Sequence, residues 1–168
     1  EDGTREIDQD PTDEDDDEPA PTAGRQLQRR LDIITIIGTR TPTTLSGVSP
    51  NVAVVEEDEL LLRSTEVIGD VIDEEPGVHL QQTNRGAGAP IIRGQVGPTN
   101  LIVFDGMRFN NGTFRTGPNQ YLNLFDQFSL ERIEVLRGDG GVFYGSDTIG
   151  GVVALTPRIA QFDQDGFY

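Results

Sequence analysis

The chain has 168 residues, 35% of them hydrophobic, with 29 acids against 13 basic residues for a net charge of −16. That length allows one domain plus a tail, and the acidity argues against nucleic acid or an anionic membrane surface as a partner. Zero cysteine excludes disulfides and thiolate metal sites, and no apolar run approaches the ~20 residues of a membrane-spanning helix. All basic residues are arginine.

Residues 1–31 carry eleven acids against Arg5, Arg25, Arg29 and Arg30, with Pro11, Pro19 and Pro21 and almost nothing apolar. Such a stretch cannot bury enough surface to offset its ordering entropy, so it reads as a disordered acidic tether. Composition then switches. Asp32, Ile33, Ile34, Thr35, Ile36, Ile37 and Gly38 are β-branched almost throughout, which predicts a strand with no partner in its own neighbourhood. Either another edge receives it, or it is an ordinary first strand of the domain.

A short strand is expected over Asn51 to Val55 and a short helix over Glu56 to Arg63, with acids in its first turn. Thr65 is expected to cap a second helix whose Val67, Ile68, Val71 and Ile72 form one stripe, ended by Pro76 and Gly77. Val78 to Gln82 reads as a strand, Asn84 to Pro90 as a glycine-rich loop, and Ile91 to Arg93 as a strand. Leu101 to Phe104 and Met107 to Phe109 flank Asp105 and Gly106, the strongest two-residue hairpin signal. Asn110 to Tyr121 is a polar loop of about a dozen residues, long enough to suggest function. Ser129 to Arg132 offers an N-cap hydroxyl and a polar turn. Ile133, Val135 and Leu136 then supply a strand that Gly138 stops. A glycine-dense turn with Gly140, Gly141, Gly145, Gly150 and Gly151 leads to a buried strand ending at Leu155.

The run Ser129-Leu-Glu-Arg-Ile-Glu-Val-Leu-Arg-Gly138, followed by Gly141-Val-Phe-Tyr-Gly-Ser-Asp-Thr-Ile-Gly-Gly-Val-Val153, closely resembles the plug domain of TonB-dependent outer-membrane receptors. Pro90-Ile-Ile-Arg-Gly94 and Asn100-Leu-Ile-Val-Phe-Asp-Gly-Met-Arg-Phe109 resemble two further motifs of that family, and the resemblance covers roughly residues 32–158. Asp139 departs from the proline usual after Arg-Gly, which frees that turn's φ angle.

The resemblance implies an α+β fold, a small mixed sheet with two short helices and long loops. It divides the chain into the tether (1–31), a TonB-box-like segment and linker (32–44), the plug (45–158) and the start of a connection to a barrel or a C-terminal tail (159–168). It implies that Asp32 to Gly38 pairs as an added strand with a TonB-like periplasmic protein, although Ile33 and Gly38 depart from the common Thr and Ala. It also implies that Arg93 and Arg137 latch onto glutamates of an outer-membrane barrel wall. The alternative for each arginine is a partner among this chain's own acids, such as Glu131, Glu134 or Asp105. Two polar loops would contact a small-molecule substrate of the haem, cobalamin or siderophore kind. Their residues are Asn84, Arg85, Asn110, Asn111, Arg115, Asn119, Gln120 and Tyr121, whose amides, guanidinium forks and phenol suit a polar or anionic ligand.

A barrel of about 22 strands at about ten residues each needs more residues than this chain has. It would therefore be the rest of a longer receptor or a separate chain. The other reading is a free-standing periplasmic interaction module with the same fold and no barrel.

Enzymatic readings fare poorly, and neither catalysis, a cofactor nor a bound metal is expected. His79 is the lone histidine, no Ser stands in a nucleophile elbow, and no triad can be assembled. A haem-ligand role for His79 has no second ligand in view, and Gly86-Ala-Gly88 lacks the third glycine of a dinucleotide fingerprint. Asp70, Asp73, Glu74 and Glu75 crowd one helix end and read as solvated acids. The expected location is the outer membrane, inside a barrel on its periplasmic side.

Overall fold

The computed structural model describes residues 33–48, 51–63, 65–110, 122–159, 162–163 and 166–167; the tether, Asp32 and the polar stretch 111–121 lie outside the described residues. In chain order the strands are Ile34–Thr35 (β1), Thr43–Thr44 (β2), Val52–Glu56 (β3), Val78–Asn84 (β4), Ala87–Ile92 (β5), Gln95–Val96 (β6), Asn100–Phe104 (β7), Met107–Arg108 (β8), Leu130–Arg137 (β9), Gly151–Pro157 (β10), Phe162–Asp163 (β11) and Gly166–Phe167 (β12). Three short α-helices, Glu57–Arg63 (α1), Ile68–Asp73 (α2) and Gly141–Tyr144 (α3), complete the α+β fold.

The main sheet runs β3-β9-β10-β7-β8. β10 lies at its centre, antiparallel to β9 and parallel to β7. Alternation along these strands feeds two cores, because successive side chains point to opposite faces. Ile133, Val135, Ile102, Val153 and Leu155 join Leu60 of α1 and the Ile68, Val71 and Ile72 stripe of α2 on one face. Val52, Val54, Leu101, Val103 and Val152 line the other, where Ile37 covers them. The sheet is therefore buried on both sides, with each large aliphatic side chain worth about 1.5–3 kcal/mol of burial.

The expected Asp105-Gly106 hairpin is present: φ is +49° and +76° at the two residues, and Phe104 pairs with Met107. Arg93 and Gly94 make a second such turn, at +52° and +77°, between β5 and β6.

Four local expectations change. The glycine-rich loop Asn84 to Pro90 is mostly strand, turning at Arg85-Gly86 and running back along β4 from Ala87. Small residues are required there, since a Cβ on Gly88 would come within 3.1 Å of both Leu80 and Asn123. Thr65 does not cap α2; Val67 occupies that position, while the Thr65 hydroxyl bonds the Val67 carbonyl and Gln127. β9 begins at Leu130, three residues earlier than expected, because Ser129 closes a 3-10 turn capped by Asp126 instead of opening a polar one. The glycine-dense turn contains α3, whose first N–H is accepted by the Asp139 carboxylate at 2.8 Å. Asp139 thus supplies an acceptor where a proline would supply none.

Candidate functional site

Glu134 lies on the segment-facing side of β9, flanked in register by Val54 and Ala154, and is only 2% exposed. A carboxylate on an apolar face must find donors, since burying it unpaired is costly. Residues 33–40 supply them. The Thr35 hydroxyl donates to Glu134 Oε2 at 2.6 Å, and the Ile36 and Ile37 backbone amides donate to the same oxygen at 2.9 Å each. Hydrogen bonds to a carboxylate are roughly twice as strong as neutral ones, so this side chain is one main anchor of the segment.

The rest of that segment's backbone is also engaged. Ile33 O accepts from Leu45 N at 2.7 Å, Ile34 O from Arg132 Nη1 at 3.0 Å, and Ile37 O from the Tyr144 hydroxyl at 3.2 Å. Ile34 and Thr35 pair antiparallel with Thr44 and Thr43. The expectation of a strand with no partner in its neighbourhood is thereby corrected: the chain doubles back at Gly38 to Thr41 and brings its own partner. Thr35 and Ile37 are buried at 0% and 1%, whereas Ile34 and Ile36 are 48% and 43% exposed. Burial pushes the Tyr144 phenol above its ordinary value, against a pull from Arg40 and with a further rise from Glu134.

Arg93 and Arg137 come together around one turn. A Cβ on Gly138 would sit 2.7 Å from Arg93 Nη1, and Arg93 N reaches the Gly77 carbonyl at 3.5 Å, while a Cβ on Gly77 would lie 3.8 Å from Arg137 Cδ. Their partners differ. Arg137 donates to the carbonyls of Asn51, at 3.2 Å, and Pro76. Arg93 meets no carboxylate among the described residues. Among the described residues no ion pair joins Glu131, Glu134 or Asp105 to Arg93 or Arg137; Glu131 pairs with Arg132 and Glu134 holds the segment.

Of the loop residues, Asn84 accepts from Gly86 N at 3.0 Å within its own turn, and Arg85 bridges Glu66 and Asp70 at 3.1 and 2.8 Å. Asn110 mimics a strand residue, accepting from Ile102 N and donating to Asn100 O at 2.9 and 2.8 Å. Asn111, Arg115, Asn119, Gln120 and Tyr121 lie outside the described residues. His79 is 82% exposed, 4.0 Å from Asp73, and no group of three or more metal-type side chains forms among the described residues.

The four acids do not share one helix end, since Asp70 lies in the first turn of α2, and they are not solvated bystanders. Asp70 takes Arg85 and Gln82, Asp73 accepts Leu80 N at 2.6 Å, and Glu74 and Glu75 meet Arg63 at 3.3 and 2.9 Å. Burial pulls the Arg63 guanidinium down, but hydrogen bonds to Glu59 and Glu75 outweigh that and hold it above its ordinary value.

Sequence reasoning weighed Glu134 only as a partner for the arginines and missed its hold, and that of Tyr144, on the segment. The signal was present for Glu134: Ile102, Ile133, Val135 and Val153 make one face of the sheet apolar and Val52, Val54, Leu101, Val103 and Val152 the other, so an acid between Ile133 and Val135 cannot face water.

Comparison with known proteins gives a consistent picture. Residues 44–152 match the family model described as the TonB-dependent receptor plug domain, which leaves 33–38 just outside the match. The chain is 31% identical over 126 residues to the vitamin B12 transporter BtuB of Vibrio vulnificus strain YJ016, covering 74% of this chain and 20% of that protein. Among solved structures it is similar to the siderophore receptor PirA from Acinetobacter baumannii (TM-score 0.58, 26% identity, 68% of this chain and 18% of that one). A mutant of the ferric enterobactin receptor PfeA from Pseudomonas aeruginosa, in complex with enterobactin, gives TM-score 0.57 at 26% identity, with the same shares covered. The chain spans about a fifth of the length of these relatives.

Proposed function

The chain belongs to the TonB-dependent receptor plug domains, and from that premise we propose that it is the gate of an outer-membrane importer whose residues 32–38 are drawn on by a TonB-like periplasmic protein. The observation that carries this reading is the alternation in that segment. Thr35 and Ile37 face the sheet while Ile34 and Ile36 face outward, leaving an apolar strand on the surface at the edge of the family match. A strand of this kind suits β-augmentation, in which backbone bonds give affinity and alternate side chains give specificity.

The gate works by filling a barrel lumen, seated by Arg93 and Arg137. Arg93 supports the latch more strongly, because Arg137 already donates to two carbonyls of this chain whereas Arg93 meets no carboxylate among the described residues. The turn at Asn84 and Arg85 and the residues 111–121 offer polar groups to the ligand, whereas the Asn110 amide is taken up by the β7 backbone. Because its relatives are named for vitamin B12, siderophore and enterobactin, the ligand class is a scarce cobalamin-like or siderophore-like chelate.

The test is titration of a TonB C-terminal domain into the protein by calorimetry. Ile36→Pro removes a backbone donor and fixes φ, so it abolishes binding. Unchanged affinity rejects the assignment of the segment.

A further inference from the structure

The turn that follows α3 is gripped from two sides. Residues 143–146 present a row of carbonyls at the end of a one-turn helix, where intrahelical donors run out. From the segment side, Arg40 Nη1 donates to Phe143 O at 2.6 Å and its guanidinium lies 5.2 Å over the Tyr144 ring. From the other side, Arg108 of β8 forks across the turn: Nη2 donates to Tyr144 O and Ser146 O at 2.9 Å each, and Nη1 to Asp147 Oδ2 at 2.7 Å. The turn is unusual backbone, with φ of +78° at Gly145 and +67° at Asp147. A non-glycine residue at positive φ persists only where its surroundings hold it, and at Asp147 the hold on the side chain is Arg108.

Arg108 itself stands where the Asp105-Gly106 hairpin hands the chain to the polar stretch 111–121. Its neighbour Phe109 donates from its amide to Ile102 O at 2.8 Å, and Asn110 fastens to β7 on the same edge. One side chain thus joins the root of the polar stretch to the turn that carries Tyr144, and Tyr144 bonds the Ile37 carbonyl. No function assigned above accounts for Arg108.

We propose that Arg108 is a positioning residue for the docked segment: by fixing the 144–147 turn it aims the Tyr144 hydroxyl at Ile37 and so sets how readily residues 33–38 leave the sheet. A disturbance at the hairpin is then felt at the segment through this guanidinium. The claim deepens the proposed function, because the segment matters only if a partner strand takes it, but the contact chain is independent of that partner.

The test is a double-mutant cycle read by amide exchange at Ile36 and Ile37, with Val135 in β9 as the reference for global opening. Arg108→Ala speeds exchange at Ile36 and Ile37 about fivefold, the factor that loss of one ordinary hydrogen bond carries, and leaves Val135 unchanged. Tyr144→Phe gives the same acceleration, and adding Arg108→Ala to it adds nothing. Arg108→Lys keeps a cation for Asp147 but loses the fork, so it behaves as the alanine variant does and serves where alanine proves too disruptive. The proposal is overturned if Arg108 variants leave the segment amides unchanged, or accelerate them equally in the Tyr144→Phe background, or accelerate Val135 in parallel. Affinity for the TonB C-terminal domain decides the other question. If exchange follows the cycle but wild type and variants alike fail to bind that domain, the positioning role stands and the proposed function falls.

Discussion

The β9-β10-β7 centre of the sheet and the docked segment 33–44 are both held to the same domain, by opposite means. β10 is paired along five residues with β7 and seven with β9, and its Val153 and Leu155 are sealed between aliphatic layers. The segment has two ladder pairs, one fully buried isoleucine and a carboxylate that accepts three donors. Apolar burial cannot be exchanged piecemeal, since removing part of it leaves a cavity. A set of backbone donors can be handed to another acceptor, because a strand or water satisfies them equally. The sheet is therefore held by contacts that cannot be given up one at a time, and the segment by hydrogen bonds that other partners can take over.

The largest expected effect falls on the sheet. Ile133→Ala, at a side chain with no exposure, should cost about 2–5 kcal/mol in urea unfolding of the whole domain. A loss under 1 kcal/mol would mean that the sheet is no firmer than the segment.

Next come the strand-end arginines, which the structure separates. Arg137→Ala should cost the isolated domain about 1.5–3 kcal/mol because a charged donor to two carbonyls is lost. Arg93→Ala should leave isolated stability nearly unchanged yet loosen the plug in a receptor that carries its barrel, by about 3–5 kcal/mol if a buried carboxylate is left behind. Equal effects of both variants on the isolated domain would erase the distinction.

Glu134→Ala then sharpens the contrast. The orphaned donors can undock into water, so the cost is capped at that of undocking: exchange at Ile36 and Ile37 should rise at least about tenfold while Ile133 and Val153 hold. Parallel acceleration across β9 would show that the segment and sheet form one cooperative unit.

The smallest effect is a pH dependence. Burial, the chief cause, holds the Tyr144 phenol above its ordinary 10.0 in the folded state. The folded chain therefore keeps that proton where the unfolded chain loses it, and stability falls as pH rises from about 10 toward the folded value. Thermal unfolding should show this extra loss in the wild type and not in Tyr144→Phe. An identical pH profile in both would assign the alkaline loss to other groups.

Sequence by itself determined the features that depend on neighbours along the chain. Asp105-Gly106 demands its turn because only such residues take positive φ at low cost. The Ile68, Val71 and Ile72 stripe fixes the buried face of α2, and the β-branched runs of β7, β9 and β10 fix the sheet. The motifs in residues 90–153 carried the family as well. Tertiary structure alone decided the rest. Ala87 to Pro90 became strand because β4 lay alongside to accept a small-residue edge, and Asp70 and Glu75 found Arg85 and Arg63, 15 and 12 residues away, once α2 had packed between them. Glu134 met Thr35, Ile36 and Ile37 across 97 to 99 residues. A contact between one carboxylate and backbone amides has no period or spacing, so it exists only once both faces of the sheet have closed.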